Sequence, residues 1–217
     1  DHEVSEIIGT LRDNNLLDDT VIVFATDHGD HIGDHGIEGK ATFYEAATHI
    51  PLLVCAPGVE TGLTCSDLVE LREMTATMLA VAGCDIPHNM DAQPLPALGL
   101  HNNQSRSHIF GMLAGAWMAF DGRYKLCKYS SGEAMLFDLD NDCYEQENLA
   151  SNRKYAEVYR RLDAALDREL MISMSVSMHD RMPSPTSMSG DEDMARKSWQ
   201  WRYPTSIDGI QGQDFDQ

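Results

Sequence analysis

The stretch from residue 21 to residue 36 reads Val21-Ile22-Val23-Phe24-Ala25, then Thr26-Asp27-His28-Gly29-Asp30-His31-Ile32-Gly33-Asp34-His35-Gly36. Its first five residues form an unbroken apolar run, which is typical of a central strand covered on both faces. The residues that follow, up to position 41, are rich in Gly, Asp and His, so they predict a loop at the carboxyl end of that strand. In open α/β sheets, ligands bind at this position.

The segments on either side of this strand predict an α/β arrangement. A helix before the strand carries Val4, Ile7, Ile8 and Leu11 on its apolar face. A second buried strand is predicted over residues 50–55 and is stopped by Pro57-Gly58. The helix after it is predicted to use one face made of Leu71, Thr75, Met78, Leu79 and Ala82, with Gly83 as its C-cap.

From about residue 106 the pattern changes to that of a small antiparallel sheet. Short apolar segments at 108–111, 117–120, 124–129 and 134–138 are separated by turn signals such as Asp121-Gly122 and Ser131-Gly132. We expect the aromatic side chains of Trp117, Tyr124 and Tyr129 in its core. Val158, Leu162, Leu166 and Leu170 mark a helix that packs on the sheet. Residues 173–217 show no usable period and stay unassigned.

The composition excludes several classes of partner. A formal net charge of -19 argues against generic binding to nucleic acid or anionic membranes, since both would be repelled. No apolar run approaches the roughly 20 residues that span a bilayer. Five cysteines without C-x-x-C spacing predict ordinary thiols. The chain enters a helix at once without an initiating Met, as expected of a sequence that begins inside a longer protein.

The Asp- and His-rich segment is the candidate for metal chemistry. Asp27 and His28 offer a hard oxygen and a borderline nitrogen at adjacent positions, which suits Ca²⁺, Mn²⁺ or Zn²⁺. The alternative is a solvated polar loop. An EF-hand fails because Gly29 occupies a ligand position and Ile32 stands where glycine is required. A helical zinc cluster of three histidines (His28, His31 and His35) is disfavoured by the glycines between them.

The string from Asp19 to Gly58 resembles the sulfatase family of the alkaline phosphatase superfamily, which includes choline-sulfatases and phosphonate monoester hydrolases. The resemblance continues through residues 117–126, 136–142 and 147–150. It implies the C-terminal part of an alkaline-phosphatase-like α/β/α sandwich over residues 1–105. A small antiparallel subdomain with a packing helix follows over 106–172, and residues 173–217 form a tail.

The resemblance also implies roles for individual residues. Asp27 and His28 match the ligands of one divalent cation, with Ca²⁺ preferred and Mn²⁺ or Zn²⁺ as alternatives. Lys40 matches the lysine that contacts the sulfate or phosphate oxygens. Asp34 and His35 belong to the same motif, where either a second layer around the ligands or simple loop packing would explain them. For His49 we expect a packed or hydrogen-bonded histidine.

One essential part of the family's machinery has no counterpart in this sequence. Family enzymes use a formylglycine made from a Cys/Ser-x-Pro-x-Arg motif, together with further acidic ligands, all far N-terminal to the Asp-His pair. The nearest string begins at Cys55 but has Val59 in place of the arginine. Cys143 stands where the family has a proline after its Asn-Asp turn, which affects loop geometry only.

The sequence therefore predicts a sulfuric ester hydrolase that acts on a small anionic sulfate ester. The formylglycine is expected in a segment that precedes this chain, so the chain alone should lack turnover. Two alternatives stay open: a phosphonate monoester or phosphodiester hydrolase of the same superfamily, and a noncatalytic scaffold that retains the fold.

Overall fold

A computed structural model describes residues 1–87, 90–98 and 106–181, except for the side chains at position 97 and at 176–181. The chain forms two compact units, residues 1–171 and 172–217. Within the second unit, the described residues are the end of a helix. The predicted boundary at residue 105 borders residues 99–105, which lie outside the described part.

The described residues of the first half include three α-helices and four short strands. They are α1 (His2–Asp13), β1 (Ile22–Ala25), β2 (His31–Ile32), β3 (Glu38–Gly39), α2 (Glu45–Thr48), β4 (Leu52–Cys55) and α3 (Glu73–Val81). The two predicted helices and two predicted strands are confirmed. β1 pairs antiparallel with β4, with Ile22 opposite Cys55. The segment predicted as a loop contains a small hairpin, because β2 pairs with β3.

The expectation that β1 is covered on both faces is wrong for the described residues. Phe24 on β1 is 45% exposed and Leu53 on β4 is 60% exposed. β4 is the only strand paired with β1 in the described part of the chain. An apolar run identifies a strand, but its burial depends on the elements that pack on it.

The predicted buried face of α3 is also wrong. The buried residues of the helix are Glu73, Ala76 and Thr77, whereas Leu71 and Met78 are exposed. Polar side chains occupy this face because each has a partner: Glu73 pairs with an arginine, and the hydroxyl of Thr77 accepts a hydrogen bond from the backbone of Leu95 at 2.8 Å. After the helix, Gly83 adopts the left-handed conformation expected at its end.

The second half contains the predicted antiparallel sheet, which has four strands in the order β5-β6-β7-β8. Its strands are β5 (Ile109–Leu113), β6 (Ala116–Phe120), β7 (Tyr124–Tyr129) and β8 (Ala134–Asp138). Helix α4 (Ala156–Arg181) follows. The core joins Ala119, Leu126 and Leu136 of the sheet to Leu162 and Leu166 of α4, which confirms the predicted packing.

Two details of this half differ from the prediction. The three aromatic residues expected in the core are only partly buried and pack against its rim. Residues 173–181 have no apolar period and are unassigned from the sequence. They are helical, since α4 continues to Arg181. Residues 182–217 of the predicted tail lie outside the described part.

Two smaller expectations can be compared with the structure. All five cysteines are free thiols, as expected. Among the described residues, no helix is both long and apolar enough to cross a membrane.

Candidate metal and anion site

Asp27 and His28 lie directly after β1, where their side chains approach each other. The Oδ2 atom of Asp27 is 3.2 Å from the Nε2 atom of His28. The other carboxylate oxygen of Asp27 accepts a hydrogen bond from the backbone N–H of His28 at 3.0 Å. The pair therefore presents one carboxylate oxygen and one imidazole nitrogen to the same region of space.

The second ring nitrogen determines what His28 can offer. Its Nδ1 atom lies 2.9 Å from the carbonyl oxygen of Gly29, so this nitrogen carries a proton and donates it. In a neutral imidazole, Nε2 is then an acceptor that faces another acceptor, the carboxylate of Asp27. Only a proton or a cation between the two atoms makes this approach favourable.

Electrostatics favour the ionised form of Asp27. Partial desolvation raises the pKa of its carboxyl, but the hydrogen bond from the His28 backbone and, when the imidazole is protonated, the charge of the His28 ring act in the opposite direction. The net result is a pKa below the usual value of 3.8. Asp27 is thus a carboxylate at neutral pH, the form in which it binds a cation.

Gly29 holds this turn against α2. Its backbone N–H donates to the carbonyl oxygen of Ala47 at 2.9 Å. A Cβ atom at position 29 would lie 2.0 Å from the carbonyl oxygen of Ala46, a distance that real side chains do not reach. Only glycine fits, so the turn that carries Asp27 and His28 lies directly on α2.

Lys40 follows β3 at the base of the β2–β3 hairpin. The residue is exposed, and within the described part of the chain its side chain makes no hydrogen bond or ion pair. Its backbone carbonyl accepts from Thr42 N–H at 2.7 Å. No contact joins the lysine to Asp27 or His28 among the described residues. The ammonium is therefore free for a ligand.

Asp34 and His35 shape the tip of the same hairpin. The carboxylate of Asp34 accepts a long hydrogen bond of 3.4 Å from the backbone of Ile32. The ring of His35 stacks on that of Tyr44 with 3.8 Å between centroids. Neither residue has a described contact with Asp27 or His28. These contacts favour loop packing over a layer around the ligands.

Sequence reasoning gave no structural role to His31. It is 3% exposed, its Nε2 atom lies 2.7 Å from the hydroxyl oxygen of Thr42, and its Nδ1 has no partner in the described residues. The bond joins β2 to the segment that follows β3 and Lys40. The sequence signal for the burial of His31 was the alternation along β2, because His31 and Ile32 must point to opposite faces. His49 is hydrogen-bonded, as expected, to the carboxylate of Glu45 at 2.8 Å.

The described residues supply two neighbouring metal donors here. No group of three or more His, Cys, Asp or Glu in a metal-binding arrangement occurs among them. Further ligands of a cation would have to come from outside the described part of the chain.

Comparison with known proteins identifies the family. A family model described as Sulfatase matches residues 1–84. Arylsulfatase K of Xenopus laevis is 32% identical over an aligned length of 198 residues, which covers 82% of this chain and 37% of that protein. Choline-sulfatase of Rhizobium meliloti is 31% identical over 163 residues, covering 70% of this chain and 31% of the relative.

A solved structure shows the fold. Phosphonate monoester hydrolase from Silicibacter pomeroyi superposes with a TM-score of 0.68 at 27% identity, covering 77% of this chain and 38% of that one. The predicted α/β class is confirmed by this likeness. The chain spans about a third of the length of the curated relatives it matches. With the family model, the relatives and the fold in agreement, the chain belongs to the sulfatase family.

Proposed function

We propose that the protein containing this chain hydrolyses sulfate monoesters. In this proposal Asp27 and His28 bind one divalent cation and Lys40 contacts the sulfate oxygens. The observation that carries it is the 3.2 Å approach of Asp27 Oδ2 and His28 Nε2, which brings a carboxylate oxygen and an imidazole nitrogen close enough to bind one cation. Membership of the sulfatase family supports the same reaction, as do the two relatives, which are an arylsulfatase and a choline-sulfatase.

The two side chains fit a divalent cation. Ligands at 2.0–2.4 Å from one ion and at right angles to each other lie roughly 3 Å apart, close to the separation of these two atoms. The carboxylate favours Ca²⁺, and the imidazole also admits Mn²⁺ or Zn²⁺. The hydrogen bond from His28 Nδ1 to the Gly29 carbonyl fixes the ring so that Nε2 faces the ion.

Each of the three site residues would have a distinct part in the reaction. A bound divalent cation supplies Lewis-acid polarisation of an ester oxygen. Asp27, held ionised, and His28, held in one tautomer, would bind it. The ammonium of Lys40 would donate to a sulfate oxygen and offset charge that develops as the leaving group departs. The formylglycine nucleophile of the family would come from outside this sequence.

A second reaction is favoured by a specific observation. The phosphonate monoester hydrolase described above has the same fold at 27% identity. A cation and a lysine serve a phosphonate as well as a sulfate, because both substrates are tetrahedral anions. Comparing kcat/KM for an aryl sulfate with kcat/KM for an aryl phosphonate monoester on the complete enzyme separates the two. A preference for the sulfate ester supports the first proposal.

The role of Lys40 is tested by steady-state kinetics on the complete enzyme. Lys40→Ala should lower kcat/KM for an aryl sulfate about a hundredfold, the effect of losing one donor to transition-state charge. Lys40→Arg should restore only part of it, since a planar guanidinium differs from a point charge. Lys154→Ala, at another exposed lysine, is the matched control and should change little. Wild-type kinetics for Lys40→Ala would refute the anion contact.

A further inference from the structure

A buried lysine of the small sheet contacts the helix next to the candidate metal site. Lys125, on β7, is 1% exposed. Its ammonium donates to the carbonyl oxygen of Phe43 at 2.9 Å, to a carboxylate oxygen of Glu145 at 2.9 Å and to the carboxylate of Glu45. Three acceptors match the three N–H donors of the lysine, so the buried charge is fully paired.

Glu145 completes the link to α2. One of its carboxylate oxygens binds Lys125, and the other accepts a hydrogen bond from the backbone N–H of Glu45, the first residue of α2, at 2.7 Å. Glu145 is buried and adopts the left-handed conformation with φ 55°, which non-glycine residues rarely use. The contacts to both of its carboxylate oxygens stabilise Glu145 in this backbone conformation.

The opposite end of this connection is the turn that carries the two candidate ligands. Ala47 of α2 accepts the backbone N–H of Gly29, and the Gly29 backbone lies too close to Ala46 for any side chain. A displacement of α2 would therefore displace Gly29 and, with it, the adjacent His28.

We propose that Lys125 and Glu145 are positioning residues for the cation site, acting through α2 on the turn that carries Asp27 and His28. This inference rests on the proposed function, since it assumes that the turn binds a cation. Ligands must be held to within roughly 0.5 Å, and residues that orient them typically change metal affinity 10–100-fold. Neither residue touches the ion in this account.

The alternative is that Lys125 contributes to stability alone, and β7 contains a matched control. Lys128, three residues further along the strand, also pairs with a carboxylate, that of Asp163 on α4. Its described contacts do not include α2. Lys125→Met and Lys128→Met each remove from the same strand a lysine that pairs with two carboxylates, and only the first removes a contact with α2.

The experiment measures cation affinity in the complete protein after chelator treatment. Isothermal titration calorimetry with Ca²⁺ and with Mn²⁺ should give a Kd at least about tenfold weaker for Lys125→Met and within about twofold of wild type for Lys128→Met. Saturating cation should restore most of the kcat of Lys125→Met. Because a cation that binds the folded state also stabilises it, circular dichroism without cation must first show that Lys125→Met is folded.

The outcomes separate this inference from the proposed function. If Asp27→Asn binds the cation as tightly as wild type, the proposed site itself is wrong. If Asp27→Asn loses the cation while a folded Lys125→Met keeps the wild-type Kd, the positioning role alone is overturned. Should Lys125→Met fail to fold, Glu145→Gln decides: it keeps the size of the side chain, and a several-fold weaker Kd is expected. An unchanged Kd in folded Glu145→Gln overturns the inference.

Discussion

Two of the three described sheets, the β1–β4 pair and the β5–β8 sheet, differ in burial, and the less buried pair has the more apolar strands. In the β5–β8 sheet, Leu126 and Leu136 are fully buried against Leu162 of α4. In the β1–β4 pair, by contrast, no residue of either strand is fully buried. The difference shows that strand formation follows from the local sequence, whereas burial follows from the layers that pack on a strand.

The candidate site lies where these two regions meet. Its ligands follow the exposed strand β1, but the turn that carries them lies on α2, which Lys125 and Glu145 tie to the packed sheet. Rigidity of the site would then come from the packed region.

The largest expected effect is on the free energy of unfolding, and it compares one leucine from each of the two sheets. Leu126→Ala should lower the free energy of unfolding by about 2–5 kcal/mol, because it opens a cavity in a closed core. Leu53→Ala should change it by less than about 1 kcal/mol, because this side chain is already largely in solvent. Urea unfolding followed by circular dichroism measures both. Similar losses for the two variants would show that β4 is covered in solution.

A smaller effect is expected from an ion pair at the end of β8. Hydrogen bonds from Arg123 lower the pKa of Asp138 to about 2, although burial opposes this. Because the folded pKa lies below the usual 3.8, the stability contributed by the pair is complete above about pH 4 and is lost as the pH falls through 2. Asp138→Asn should therefore lower the free energy of unfolding by about 2 kcal/mol at pH 7.

The pH dependence of that difference is the check. Urea unfolding of wild type and Asp138→Asn should give curves that converge as the pH is lowered from 5 towards 2. A constant gap across this range would mean that titration of Asp138 is not the cause. Arg123, the partner, is left unchanged in both proteins.

The smallest effect concerns the open region, at the end of α1. Asn15 has a left-handed backbone with φ 56°, which asparagine and glycine tolerate better than other residues. Asn15→Ala should lower the free energy of unfolding by about 0.5–1 kcal/mol, and Asn15→Gly should not lower it. Thermal unfolding of the two variants side by side tests this. Equal stability of the alanine and glycine variants would argue against the left-handed conformation in solution.

The elements of the fold were predictable because helix and strand periods are local. The sequence predicted α4 on one face of the small sheet, and Leu126 on β7 lies on that face. It gave no indication that the other face is also covered: Cys127 packs with Phe43 there. For this reason the burial of Lys125 was missed. Alternation places Lys125 and Lys128 on opposite faces of β7, but it does not show which of these faces buries its lysine.

The candidate site was predictable to a similar extent. A motif of adjacent residues predicted that Asp27 and His28 act together, because neighbours at the end of a strand have little freedom to separate. The contact between Gly29 and α2 depends on packing between segments that are distant in sequence, as does the bond between His31 and Thr42. Such contacts follow from the folded arrangement and leave no period in the sequence.

The central claim, that Asp27 and His28 bind a divalent cation, is tested most directly by calorimetry on the complete protein. Asp30 lies in the same loop, is exposed and makes no described side-chain contact, so Asp30→Asn is the matched control. We expect Asp27→Asn to weaken Ca²⁺ or Mn²⁺ binding at least about a hundredfold, because a ligand and its charge are lost, whereas Asp30→Asn should stay within about threefold of wild type. Equal and tight binding by wild type and Asp27→Asn would contradict it.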